Sequence, residues 1–146
     1  MNLIKSFENA YRQKARKGWD CIYVAVDVHG TIFKPTYSHE ENFDYYPDAK
    51  EALQMFSRRK DIKLILWSAS HYDQLMRYWD KLEKDEIQFH YINSNPEVED
   101  TDLASFNEKF YFNVGIDDKF GFDPMIDWTD LKQMLKILAI TRGDNK

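Results

Sequence analysis

Short apolar runs alternate with amphipathic segments along most of this 146-residue chain. Apolar residues at three- and four-residue spacing predict an opening helix, which we assign to residues 1–18 and which ends at Gly18. Four apolar runs of strand length follow, at residues 21–26, 62–67, 87–92 and 110–116. Helical patterns lie between and after them, at residues 48–60, 72–84 and 127–140. Strands and helices are thus predicted to alternate.

This alternation is typical of an α/β fold. The runs at 21–26 and 62–67 contain hardly any polar residues, as expected for parallel strands that are covered on both faces. We therefore predict one domain over residues 1–146, a three-layer Rossmann-like fold with a central, mainly parallel sheet. The helix at 1–18 is an addition to it. Functional groups of such folds gather at the carboxyl ends of the strands.

Acidic residues stand at two of these predicted strand ends. The chain reads Asp-Val-His-Gly-Thr over residues 27–31, so that Asp27 closes the first strand. A carboxylate in that position is costly unless it is paired or binds a metal, which makes it a functional candidate. Asp117 and Asp118 follow the fourth strand and would repel each other without a cation. Their hard oxygen ligands suit Mg²⁺.

A hydroxyl and a lysine complete the set. Ser68 and Ala69 follow the second strand, where backbone amides of small residues can face an anion, and Lys109 precedes the fourth strand. Taken singly, a serine cap, an acidic turn and a solvated lysine are the more common interpretations. Together, a carboxylate, an acid pair, a hydroxyl and a lysine are the groups that phosphoryl transfer needs. The joint pattern favours that chemistry.

The four motifs, in this order, resemble those of the haloacid dehalogenase superfamily, and in particular its small capless phosphatase-like members. The resemblance covers about residues 20–135. It implies a Mg²⁺-dependent phosphohydrolase that acts on a phosphate ester through an aspartyl-phosphate intermediate. The intervals 31–48 and 68–109 leave no room for a cap domain, so we expect an open site.

The resemblance also implies which residues form the metal site. Asp27 would be both the nucleophile and a metal ligand, and the main-chain carbonyl of His29 would face the metal as well. Asp118 would hold Mg²⁺ directly, and Asp117 would do so directly or through water. Asp123 is a weaker candidate.

Further residues are implied to bind the substrate. Thr31, Ser68 and Ala69 would contact the phosphate, and Lys109 would contact both Asp27 and the phosphate. The predicted partner is a phosphorylated substrate, which the sequence leaves open as small or macromolecular.

His29 departs from the superfamily pattern, because phosphatases of this group usually have aspartate two residues after the nucleophile. That aspartate serves as general acid and then as general base. Histidine can perform both tasks, since it titrates near neutral pH, and we count His29 as catalytic. The alternative is a catalytically weakened phosphate-binding or interaction protein that keeps the fold.

Charge and composition separate these hypotheses from others. With 20 Lys and Arg against 25 Asp and Glu, the formal charge is -5, so nucleic acid is an unfavourable partner. The sequence has no long apolar run, and its single cysteine cannot form an intramolecular disulfide, which together predict a cytoplasmic protein with no membrane association. A response-regulator receiver domain would carry its acid pair after the first strand, unlike this chain. The oligomeric state stays open.

Overall fold

The computed structural model describes residues 3–35, 42–101, 104–106 and 109–141. Its helices are α1 (Leu3–Lys17), α2 (Ala49–Arg58), α3 (Tyr72–Lys84) and α4 (Asp127–Thr141). Its strands are β1 (Ile22–Asp27), β2 (Ile62–Trp67), β3 (Tyr91–Ile92) and β4 (Val114–Ile116). The predicted alternation of strands and helices is confirmed. Within the described ranges, no helix is long and apolar enough to cross a membrane.

The four strands form one sheet in the order β3-β2-β1-β4, and every neighbouring pair is parallel. The predicted α/β class with a parallel Rossmann-like sheet is therefore confirmed. The chain adds β2 and β3 on one side of β1 and then crosses to the other side to place β4. In open parallel sheets, ligands bind in the crevice where the strand order reverses, which here lies between β1 and β4.

Both faces of the sheet are covered. Alternate strand residues join residues of all four helices in one hydrophobic cluster, and those of β1 and β2 are Ile22, Val24, Val26, Ile62, Leu64 and Leu66. Ala25 and Ile65 point to the opposite face and are also fully buried. Aromatic side chains from residues 110–120 pack on that face, against Trp67 in particular. The helices, the sheet and this aromatic cover make three layers.

Two strands are shorter than their apolar runs predict. Ahead of β3, the amide of Leu64 donates to the ring Nδ1 of His90, so a side chain takes the place of a backbone acceptor. Ahead of β4, the amide of Tyr23 donates to the side-chain Oδ1 of Asn113. The apolar residues of these runs still pack, and both Ile87 and Phe89 are buried. Side-chain packing therefore extends further than regular backbone pairing.

Candidate metal centre

Three acids meet at the crevice between β1 and β4. Asp27 ends β1, while Asp117 and Asp118 follow β4 directly. One carboxylate oxygen from each lies within 4.8 Å of the others. Asp117 is buried, Asp27 is half-buried and Asp118 is exposed, so the cluster opens to solvent on one side. The neighbouring strand ends thus place together the three acids that the sequence singled out.

The loop after Asp27 turns tightly around Val28. The amides of Ile32 and Phe33 both donate to the Val28 carbonyl, at 2.9 and 3.2 Å. Gly30 within this turn has a φ of 74°, and a Cβ added to it would lie 3.2 Å from Oδ2 of Asp118. Glycine is needed here both for the positive φ and for the close approach of the Asp118 carboxylate.

Thr31 links the acids of the two strands. Its fully buried hydroxyl accepts the Asp118 amide at 3.1 Å and lies 3.1 Å from Oδ2 of Asp27 and 3.2 Å from Oδ1 of Asp118. With one proton to donate, the hydroxyl can serve only one carboxylate at a time. The geometry gives Thr31 a positioning role within the acid cluster, and its implied contact with phosphate stays a prediction.

Trp128, at the start of α4, binds the backbone of the loop that follows Asp27. Its indole Nε1 donates to the Thr31 carbonyl at 2.7 Å, and the side chain is fully buried. Sequence reasoning missed this residue. The available signal was a tryptophan in an amphipathic helix, whose ring N–H needs a partner when it is buried.

Burial and mutual repulsion raise the pKa of two of the three carboxylates. Burial raises the pKa of Asp27 from its ordinary 3.8 to about 7, and the nearby Asp117 carboxylate adds to that effect, against the hydrogen bond from Thr31. The pKa of Asp117 is raised as well, first by burial and also by Asp118, while the Lys119 amide opposes the shift. A divalent cation would relieve this repulsion, and three carboxylates are a donor set that fits Mg²⁺.

Asp117 also shapes the backbone that follows. Its Oδ1 accepts the Lys119 amide at 2.9 Å and thereby caps a short 3₁₀ turn, Asp118–Phe120. The common interpretation of an acid pair as a turn therefore applies to Asp117 alongside its place in the acid cluster.

Ser68 follows β2 and is held there by Asn93, the residue after β3. The Asn93 side chain accepts the Ser68 amide at 2.9 Å and donates to the Ser68 carbonyl at 2.7 Å. The Ser68 hydroxyl lies 3.0 Å from that of Ser70 and accepts the Ser70 amide. Ser68 is not the cap of α3, a position that His71 occupies. Ala69 is exposed, and the binding of phosphate by Ser68 and Ala69 stays a prediction.

His29 is exposed, and its ring is oriented by α3. Its Nε2 lies 3.0 Å from the hydroxyl of the fully buried Tyr78, which also accepts a hydrogen bond from Gln74 at 3.2 Å. This contact spans 49 residues of sequence, and a tyrosine within the apolar pattern of α3 carries no local sign of it. The implied role of the His29 main-chain carbonyl stays a prediction.

Lys109 is exposed ahead of β4. Among the residues that the structure describes, no hydrogen bond or ion pair joins it to Asp27. A different lysine, Lys119, lies near the acid cluster, and its charge lowers the pKa of Asp117. Asp123 lies outside the three-acid cluster, and its Oδ1 accepts the Met125 amide at 3.1 Å. The predicted contact of Lys109 with Asp27 and phosphate stays a prediction.

The chain around the site is short. Between β2 and β4, the described residues form α3, β3 and an irregular loop, and between β1 and α2 they form only turns and isolated bridges. A separate cavity of about 790 Å³ lies near the amino ends of the strands, lined in part by Cys21, Tyr23 and Lys63. It is at the opposite edge of the sheet from the acids.

Comparisons with known proteins add a fold relative. No protein-family model matches the sequence, and no curated protein matches it. A solved structure of a conserved protein from Bacteroides thetaiotaomicron is similar, with a TM-score of 0.62 and 26% sequence identity. The similarity covers 80% of this chain and 91% of that one.

Proposed function

We propose that this protein is a Mg²⁺-dependent phosphohydrolase that acts on phosphate monoesters through a phosphorylated Asp27. The observation that carries the proposal is the meeting of three carboxylates at the point where the strand order reverses. Asp27, at the end of the central strand β1, is flanked by the acids on one side and by the Ser68 loop on the other. Such a position suits a nucleophile that receives a phosphoryl group.

The protein residues divide the reaction between them. Bound Mg²⁺, held by the three acids, would neutralise charge between the attacking carboxylate and the phosphate. An oxygen of Asp27 attacks phosphorus, and the bond from phosphorus to the ester oxygen breaks. His29 gives the departing oxygen a proton where the leaving group needs one. Thr31 keeps Asp27 and Asp118 in register while this occurs.

The second half of the reaction restores the enzyme. Water attacks the phosphorus of phospho-Asp27 and loses a proton to His29, and the bond between Asp27 and phosphorus breaks. Inorganic phosphate and the free Asp27 carboxylate result. The Ser68 hydroxyl and the Ala69 amide, in a loop that Asn93 keeps in place, would bind the phosphate oxygens through both halves.

The alternative is a catalytically weakened protein that binds phosphate without turnover. Two observations favour it. Histidine stands at position 29, and the exposed Lys109 has no described contact with Asp27. Such a protein would keep the acid cluster and the Ser68 loop, and it would bind phosphate in the presence of Mg²⁺.

One experiment separates the two functions. Hydrolysis of p-nitrophenyl phosphate is measured with Mg²⁺ and with EDTA, for the wild type, Asp27→Asn and the control Asp123→Asn. We expect Mg²⁺-dependent turnover that Asp27→Asn abolishes and Asp123→Asn keeps. Equal rates in wild type and Asp27→Asn would sink the covalent mechanism. Calorimetric binding of phosphate without any turnover would favour the weakened relative.

A further inference from the structure

The cavity of about 790 Å³ at the amino ends of the strands takes no part in the proposed reaction. Pockets that bind small molecules have volumes of roughly 300–1,000 Å³, so this cavity is large enough for such a ligand. Residues 17–21, which join α1 to β1, line it together with residues of β1, β2 and the loop between β3 and β4. The side chains of this lining indicate the class of ligand that the cavity would take.

Aromatic rings form one part of the lining. We call them the ring group, and they are Trp19, Tyr23, Phe106 and Tyr111. Tyr111 is central, because the other three rings meet it edge-on, with centroids 6.5, 6.2 and 5.7 Å away, respectively. All four residues are half-buried, so each keeps part of its surface for a ligand. A planar ring that packs against such a group gains affinity beyond simple burial.

Hydrogen bonds hold two of these rings in place. The Tyr23 hydroxyl donates to the Glu97 carboxylate at 3.1 Å, and Lys63 pairs with the same carboxylate at 2.7 Å. The Asn113 side chain donates to the Tyr111 hydroxyl at 3.0 Å and accepts the Tyr23 amide at 2.8 Å. The ring group is thus set before a ligand enters, and a preformed pocket loses little conformational freedom on binding.

Two lysines add positive charge beside the rings. Lys17, in the last turn of α1, and Lys60, ahead of β2, both line the cavity and are exposed. Among the described residues, neither lysine belongs to an ion pair, and the Lys17 Nζ lies 5.4 Å from the centroid of the Trp19 ring. Lys17 suits the negative end of its helix, but that role does not account for Lys60, which lies on a different segment. A ligand ring in the cavity would therefore have cations beside it.

We propose that this cavity binds a mononucleotide, with the base against the ring group and the phosphate on Lys17 and Lys60. Asp20, which also lines the cavity, supplies a carboxylate that can accept hydrogen bonds from ribose hydroxyls. The same carboxylate would repel an aromatic acid that has no hydroxyls to donate. The site lies at the opposite edge of the sheet from the acid cluster, so the inference does not depend on the proposed phosphohydrolase.

Calorimetry in EDTA, which keeps Mg²⁺ from the acid cluster, tests the inference. AMP is the probe, because stacking on aromatic side chains tolerates any base. Adenosine lacks the phosphate and ribose 5-phosphate lacks the base. We expect AMP to bind about tenfold more tightly than either of these two compounds, since each loses one set of contacts.

Variants of the lining assign these contacts. Combined Lys17→Ala and Lys60→Ala should lower the affinity for AMP about tenfold and leave that for adenosine unchanged. Lys84→Ala, which removes an exposed lysine at the end of α3, is the matched control. Trp19→Phe, which keeps a ring, should retain AMP binding, whereas Trp19→Ala should weaken the binding of both AMP and adenosine.

The outcomes separate this inference from the proposed function. Asp118→Ala should keep the AMP affinity, and a loss of AMP binding in that variant would move the nucleotide to the acid cluster and overturn the inference. Equal affinities for AMP and ribose 5-phosphate would overturn it, and so would AMP binding that survives the loss of both lysines. A single-stranded oligonucleotide that binds more tightly than AMP would replace the mononucleotide site with a nucleic-acid surface. The expected AMP binding in a protein that hydrolyses no phosphate ester would support the inference and reject the phosphohydrolase.

Discussion

Asp27 makes the folded, metal-free protein sensitive to pH. Its pKa is about 7 in the folded protein, because of burial and the Asp117 carboxylate, against an ordinary value of 3.8. Between those values the folded protein holds a proton that the unfolded chain has released, so stability present below pH 4 is lost as the pH rises through 7. We expect Asp27→Asn to raise the free energy of unfolding by roughly 2 kcal/mol at pH 8 and by much less at pH 4. The gain at pH 8 is smaller than the full pKa shift would give, because solvent screens part of the charge of the half-buried Asp27.

Urea unfolding at both pH values, in EDTA, measures this effect. Asp123→Asn is the matched control, since Asp123 is exposed and asparagine can still accept the Met125 amide. Its stability should stay within about 0.5 kcal/mol of the wild type. A gain in Asp27→Asn that is equal at pH 4 and pH 8 would show that the group's titration is not the cause.

Tyr78 is the residue that orients His29, through the 3.0 Å contact between its hydroxyl and Nε2. Tyr78→Phe keeps the buried ring and removes that contact. We expect kcat on an alkyl phosphate to fall about tenfold, with a changed pH profile across pH 5 to 9, because the leaving alkoxide needs a well-placed proton. Turnover of p-nitrophenyl phosphate should change little, since p-nitrophenolate leaves without one.

Tyr72→Phe provides the control on the same helix, at a side chain that is 72% exposed. His29→Ala sets the size of the full effect. If Tyr78→Phe lowers kcat equally for the alkyl phosphate and for p-nitrophenyl phosphate, the loss reflects a general disturbance of the site. The assignment of Tyr78 as the residue that positions His29 would then be wrong.

At the scale of elements, Trp128 ties α4 to the loop that follows β1. Trp128→Phe would leave the buried Thr31 carbonyl without its donor and open a small cavity. We expect a loss of roughly 3 kcal/mol in the free energy of unfolding. Mg²⁺ affinity should fall too, because the Thr31 hydroxyl links Asp27 and Asp118. Urea unfolding and a Mg²⁺ titration of the folded variant measure the two effects.

Trp19→Phe is the corresponding control. Trp19 is partly exposed and packs edge-on against Tyr111, so its replacement should cost less than about 1 kcal/mol and leave Mg²⁺ affinity unchanged. Equal losses of stability in the two variants would mean that the hydrogen bond from Trp128 to the Thr31 carbonyl makes no specific contribution to the free energy of unfolding.

The same elements show what a sequence can predict. The limits of β2 and α3 match their patterns, because continuous apolar runs and three- to four-residue spacing are local properties. The last residues of β3 and β4 match as well, but both strands begin later than their apolar runs, because His90 and Asn113 substitute side chains for backbone partners. Whether a polar side chain enters a ladder depends on the neighbouring strand, which the local pattern does not contain.

The candidate site divides in the same way. Its acids could be found from sequence, since each follows an apolar run and parallel strands end at one edge. The residues that position these acids and the rest of the site could not be found from the sequence. Trp128, Asn93 and Tyr78 reach their partners across 97, 25 and 49 residues, and each looks like an ordinary core or turn residue in its own segment.

For the whole molecule, the acid cluster couples cation binding to folding. Its carboxylates come from the ends of two strands, so the site exists only when β1 and β4 are paired. A ligand that binds only the folded state stabilises it by about 2.7 kcal/mol at a concentration of 100 times its Kd. We therefore expect Mg²⁺ to raise the melting temperature of the wild type in a saturable way.

Asp118→Ala and Asp123→Ala distinguish the acids that carry this coupling. Asp118 contributes an oxygen to the cluster, whereas Asp123 lies outside it and accepts the Met125 amide. Asp118→Ala should weaken Mg²⁺ binding by at least about tenfold and flatten the thermal titration, because one of three carboxylate ligands is gone. Asp123→Ala should lower the starting melting temperature slightly and keep the wild-type Mg²⁺ response. Equal Mg²⁺ affinities in the two variants would contradict the assignment of Asp118 as a ligand, and a wild type that Mg²⁺ does not stabilise would contradict the metal site itself.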